Sequence, residues 1–84
     1  MHYVYVLLSD TDGRFYLGCT SDLRERVAQH NRGMNASTRG REWRLVYYEA
    51  YVSRSAAMTR ERRLKHDGRV RQALMARVKA SLSE

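Results

Sequence analysis

The sequence predicts an α+β domain: a small three-stranded, mainly antiparallel sheet flanked by helices, in the order β-β-α-β-α-α. Three observations carry that prediction. Two runs of β-favouring residues, Tyr3–Leu8 and Phe15–Gly18, are separated by a turn containing Asp12-Gly13, the strongest local hairpin signal. A third such run, Trp43–Tyr51, stands apart from them. From Ser53 onward, apolar residues recur at helical rather than alternating spacing. At 84 residues the chain reads as one domain over residues 1–84, near the lower end of what folds alone.

Each element has its own signal. Tyr3-Val4-Tyr5-Val6-Leu7-Leu8 is continuously β-favouring, as expected of a strand covered on both faces. Ser9–Gly13 is the turn and Phe15-Tyr16-Leu17-Gly18 the return strand. Ser21 or Asp22 can cap a first helix, and Asp22 with Glu25 has capping-box spacing. Leu23, Val27 and His30 form its inward stripe, and Gly33 lies just past its end. Residues 31–42 are polar, and a loop this long in so small a domain is more often functional than idle. After the third strand, Ser53 can cap a second helix running to about Lys65, which Asp67-Gly68 breaks. The third helix carries Val70, Leu74 and Val78 as a stripe, extended by Leu82.

Composition narrows the function classes. No apolar run approaches the roughly 20 residues that cross a bilayer, and the start is not signal-peptide-like, so no membrane partner is expected. Cys19, the single cysteine, has no internal partner, and a reducing cytoplasm is the expected location. Sixteen Lys and Arg against nine Asp and Glu, the last of them Glu84, give a net charge of +7. Residues 53–79 alone hold nine basic and two acidic side chains, so the C-terminal third supplies nearly the whole field. Fourteen of the sixteen basic residues are Arg, whose planar fork suits phosphate. Nucleic acid is therefore favoured over an acidic protein or an anionic surface. Arg24, Arg39, Arg41, Arg62, Lys65 and Arg69 are the candidate contacts.

Helical periodicity then isolates polar residues on inward faces. Ala57, Glu61 and Leu64 share one face of the second helix, while Arg60, Arg62, Arg63 and Lys65 spread over the rest. A carboxylate facing a core is costly unless it is paired or bound to a metal. Periodicity leaves a Glu–Arg ion pair and a metal ligand both open. On the first helix Arg26 and His30 lie four residues apart, with Arg26 leaning over the sheet edge; His30 alone reads as a packed helix-end histidine. Tyr5 and Tyr16 lie on adjacent strands, each core by itself. Together with Arg26, His30 and Glu61 they form a polar group that packing does not explain.

At these residues the chain resembles the GIY-YIG nuclease superfamily, in particular its small stand-alone branch. The two tripeptides for which that superfamily is named stand here as Tyr3-Val4-Tyr5 and Tyr16-Leu17-Gly18, with Tyr3 where the family has Gly. The arginine and histidine of the family helix match Arg26 and His30, and the downstream glutamate matches Glu61. Arg44–Glu49 is similar to the third strand of the small branch. The resemblance implies a divalent-metal-dependent endonuclease that hydrolyses phosphodiester bonds in DNA, with DNA favoured over RNA. It implies one Mg²⁺ or Mn²⁺ on Glu61, Tyr5 activating the attacking water, Tyr16 positioning water or phosphate, Arg26 stabilising phosphorane-like charge and His30 supporting them. Target choice would come from nucleic-acid shape, from residues 31–42 or from a protein partner. The competing readings are a non-catalytic nucleic-acid-binding module of the same fold and a basic subunit that docks on an acidic protein.

Overall fold

The first two β-favouring runs pair as a hairpin, β1 (His2–Ser9) with β2 (Phe15–Thr20), and β3 (Trp43–Tyr51) joins the other side of β1. The structure, a computed structural model, describes residues 1–83; Glu84, counted in the charge balance, lies outside them. Strand order is β2-β1-β3, and both ladders are antiparallel, so the sheet is wholly rather than mainly so. The central position of β1 explains its unbroken apolar run. Val4 and Val6 face one side, Tyr5 and Leu7 the other, and none is more than 1% exposed. The β1–β3 register slips between Val6 and Leu7, where Val46 is the extra residue on β3.

Helices cover both faces. On the Tyr5/Leu7 side, α1 (Leu23–Asn31) packs Leu23 and Val27 against Tyr5, Leu7 and Trp43. On the Val4/Val6 side, α2 (Arg54–His66) and α3 (Gly68–Leu82) contribute Ala57, Leu64, Leu74 and Val78 to the larger cluster. Each of these four is at most 3% exposed, and a leucine so placed contributes about 2–5 kcal/mol relative to alanine. Asp22 caps α1 through Glu25 N–H at 3.1 Å, Ser53 caps α2 through Ala56 N–H at 3.3 Å, and Asp67 caps α3 through Arg69 and Val70. The capping box at Asp22 is one-sided. Glu25 pairs with Arg32 at 3.0 Å, and the Asp22 N–H goes to Thr20 Oγ1.

One expectation needs correcting. Arg60 does not join the outward cations of α2. It crosses to β3 and binds Glu49 through two hydrogen bonds of 2.9 and 3.0 Å. The hydroxyls of Tyr47 and Tyr51 each donate to the same carboxylate at 2.6 Å. Tyr47, Glu49 and Tyr51 alternate along β3, so all three face the α2–α3 layer. Desolvation works against the Glu49 charge, but Arg60 and the two hydroxyls outweigh it and hold the carboxyl at about 2.

Candidate active site

Strand register sets the two tyrosines. Tyr5 lies opposite Gly18 and Tyr16 opposite Leu7, so the rings share the α1 face on a diagonal, with centroids 6.4 Å apart. The Tyr5 ring crosses directly over Gly18, where a Cβ would collide with its hydroxyl. Gly18 is needed for space. The family tripeptide here has a steric cause, since any larger residue would lift the Tyr5 hydroxyl from its place.

From α1, consecutive turns present Arg26 and His30 to that hydroxyl. Tyr5 Oη lies 2.9 Å from His30 Nε2 and accepts the Nε–H of Arg26 at 3.3 Å. Arg26 also donates from Nη1 to Gln29 at 2.9 Å, which steadies the guanidinium and leaves further donors for a ligand. His30 is 1% exposed, its ring centroid 4.7 Å from that of Tyr16. The Tyr16 hydroxyl accepts from Asn35 Nδ2 at 3.3 Å. Burial raises the Tyr5 hydroxyl above the usual tyrosine range, Arg26 opposes that rise, and the Tyr16 and Glu61 charges add to it. Burial, and then the Arg26 charge, lower His30, so its ring is neutral at neutral pH.

Glu61 arrives from the other face of the sheet. Its stripe-mates Ala57 and Leu64 are fully buried, whereas the Glu61 side chain is 24% exposed. The carboxylate borders a cleft of about 590 Å³ at the end of β2, lined by His2, Cys19, Thr20, Ser21, Arg26, Arg54, Met58 and Glu61. Helices on opposite faces thus meet around one edge strand. The ion-pair alternative for Glu61 reduces to Lys65, one turn on, at 3.6 Å with a half-exposed side chain, a weak contact.

Glu61 therefore has oxygen lone pairs free to face the cleft. Among the described residues no three His, Cys, Asp or Glu side chains gather into a metal-sized group. A single hard carboxylate suits Mg²⁺ or Mn²⁺ that keeps most of its waters and takes substrate oxygens, and does not suit an all-protein cage. Tyr3, the departure from the family pattern, does not line the cleft. Its ring packs edge-on against Tyr48 of β3, 5.8 Å away, on the side of β1 remote from β2.

The candidate nucleic-acid contacts divide. Arg24, Arg62 and Arg69 are exposed. Arg41 is held by Asp12 at 2.8 Å, an interaction that keeps Asp12 at about 2, and Arg39 folds back onto the Gly33 carbonyl at 3.2 Å. Lys65 leans toward Glu61. Sequence reasoning missed Asn35 and Thr38, which tie the loop to Tyr16 and His30, and Arg54, which lines the cleft. Loop residues have no periodicity to betray them; only the length of the 31–42 segment pointed that way.

Comparison with known proteins bears on this arrangement. A family profile described as the GIY-YIG catalytic domain matches residues 1–72. A UPF0213 protein of Halobacterium salinarum is 48% identical over 67 residues, covering 77% of this chain and 86% of that one. A UPF0213 protein of Lacticaseibacillus paracasei is 40% identical over 72 residues, covering 83% and 80%. The solution NMR structure of a UPF0213 protein from Bacillus halodurans has 39% identity and a TM-score of 0.56, over 93% of this chain and 84% of that one. No described helix is long and apolar enough to cross a membrane.

Proposed function

The chain belongs to the GIY-YIG family, and on that premise we propose that it hydrolyses phosphodiester bonds in nucleic acid, DNA in preference to RNA, with one divalent cation held by Glu61. A single observation carries this reading. Arg26 and Glu61, from helices on opposite faces of the sheet, border one cleft, and Arg26 also holds the Tyr5 hydroxyl.

The chemistry follows from those positions. Tyr5 takes a proton from the attacking water as its own proton passes to His30 Nε2, 2.9 Å away. The water oxygen bonds to phosphorus, the bond from phosphorus to the leaving sugar oxygen breaks, and solvent protonates that oxygen. Arg26 lowers the cost of a Tyr5 phenolate and offers its remaining donors to phosphate oxygens whose charge grows in the transition state. Tyr16, its oxygen already accepting from Asn35, keeps its own proton to donate to water or phosphate. The cation, when bound at Glu61, supplies Lewis-acid polarisation of the scissile phosphate. The exposed Arg24, Arg62 and Arg69 add sequence-independent affinity.

The test incubates the chain with linear, branched and single-stranded DNA and RNA, in Mg²⁺, Mn²⁺ or chelator, beside Glu61→Ala. Metal-dependent cleavage that disappears in the variant while binding persists is the expected result. Binding without cleavage under every condition would replace this reading with a non-catalytic nucleic-acid module.

A further inference from the structure

Thr38 is the only buried residue between Arg32 and Glu42, at 0% exposure in an otherwise solvent-facing loop. Its Oγ1 lies 2.8 Å from His30 Nδ1 and 3.2 Å from the Asn35 carbonyl. A hydroxyl has one proton to give and the carbonyl can only accept, so making both contacts requires Thr38 to donate to Asn35 and to accept from His30 Nδ1–H. The far side of the ring asks for the same order. Tyr5 Oη touches Arg26 Nε, which only donates, and His30 Nε2. Among the described side chains in contact with it, the Tyr5 proton therefore has one acceptor, His30 Nε2.

A neutral ring that accepts at Nε2 carries its proton on Nδ1. Thr38 Oγ1 then accepts from Nδ1–H and donates its own O–H to Asn35 C=O. Each donor in the row, from Arg26 through Tyr5, His30 and Thr38, finds one acceptor. Reversing the row would aim the Arg26 and His30 N–H groups together at Tyr5 and leave a hydroxyl proton of a residue 1% exposed without a protein acceptor. The loop is also fastened to hold this geometry: Trp43 Nε1–H donates to the Thr38 carbonyl at 2.8 Å.

We propose that Thr38 is a positioning residue that fixes His30 as the Nδ1–H tautomer and so presents Nε2 to the Tyr5 proton. Its catalytic consequence rests on the reading of Tyr5 as the group that activates water; the tautomer itself does not. As Tyr5 gives up its proton, the O–H bond breaks and an Nε2–H bond forms, while Nδ1–H stays on Thr38. The ring thus becomes an imidazolium without turning or exchanging its other proton.

Long-range ¹H–¹⁵N correlation spectra of the full ¹⁵N-labelled chain, at a pH where the rings are neutral, read the tautomer directly. His30 is expected as Nδ1–H, unlike free imidazole side chains, which prefer Nε2–H. Thr38→Val keeps the shape and removes the hydroxyl, and its His30 should move toward Nε2–H; Thr38→Ser should restore Nδ1–H. Cleavage, where measured, should fall about 10–100-fold in Thr38→Val, the usual cost of losing an outer partner, and recover in Thr38→Ser. Nε2–H in the wild-type chain, or an unchanged tautomer in folded Thr38→Val, overturns the proposal. Should Thr38→Val fail to fold, the wild-type spectrum still decides. Nδ1–H in a chain that never cleaves would support the tautomer lock and sink only the nuclease reading.

Discussion

Around Glu49 every acceptor direction has a partner: two tyrosine hydroxyls at 2.6 Å and a two-pronged Arg60. Around Glu61, on the same helix layer, the nearest cation is a lysine at 3.6 Å, and the carboxylate borders an open cleft. Both acids lie between a helix and the sheet, and both have an arginine of α2 close by, Arg60 bound to Glu49 in space and adjacent to Glu61 in sequence. The contrast separates what a carboxylate does when its coordination is complete from what it is free to do when it is not. Glu49 fastens α2 to β3; Glu61, one residue along α2 from the arginine so fastened, is held in place with its oxygens unspent.

The contrast can be broken in four ways. Glu61→Gln should lower metal-dependent cleavage by about 10³-fold, since a neutral amide is a poor Mg²⁺ ligand, and should leave the thermal midpoint nearly unchanged. A large drop in the midpoint would make Glu61 a structural acid like Glu49. Next, Arg26→Ala should cost about 10²–10³ in kcat with a smaller change in substrate affinity, because its contact strengthens in the transition state. Cleavage at the normal rate would remove Arg26 from the site.

Glu49→Gln should do the opposite of Glu61→Gln. We expect about 1–3 kcal/mol of lost stability in denaturant titrations, from a partly desolvated Arg60 left short of its counter-charge, with cleavage by the folded fraction retained. The Glu49 carboxyl is depressed in the folded chain, so its contribution is fully present above about 4.5 and is lost as pH falls through about 2. The stability gap between wild type and Glu49→Gln should therefore narrow across that window; a constant gap would deny Glu49 its charged role. The smallest effect belongs to the outer surface. Neutralising Arg62 and Arg69 together should reduce the salt slope of binding by about 1–2, and an unchanged slope would turn those helices away from the substrate.

Much of this arrangement is legible in the sequence. Strands, helices and their order follow from period and turn signals, and Glu61 stands out because its stripe-mates Ala57 and Leu64 are apolar. The Tyr-x-Glu-x-Tyr spacing of β3 would also have placed Tyr47, Glu49 and Tyr51 on one face, although that spacing alone does not reveal which arginine answers them. Arg60 was misread because a long side chain at the margin of a helix can reach sideways, a freedom that backbone period does not describe. Thr38 and Asn35 were invisible for a deeper reason. Their partners lie across the fold and their backbone has no repeat, so only tertiary proximity defines them.

Asn31 ends α1 with both atoms of its side-chain amide engaged by the backbone of Trp43: Nδ2 donates to the carbonyl at 2.9 Å, and Oδ1 accepts the N–H at 2.7 Å. That amide behaves as a borrowed peptide unit, forming with β3 the pair of bonds that a neighbouring strand would form. The excursion from residue 32 to 42 is consequently a closed ring, its ends joined before any of its interior contacts is made. The exposed Ala36 and Ser37 are where side chains can be exchanged with the least disturbance to the groups beneath, whereas an insertion there would part the Thr38 N–H and hydroxyl from the Asn35 carbonyl. A scaffold built this way lets the rim of the loop diversify while the residues beneath it stay fixed.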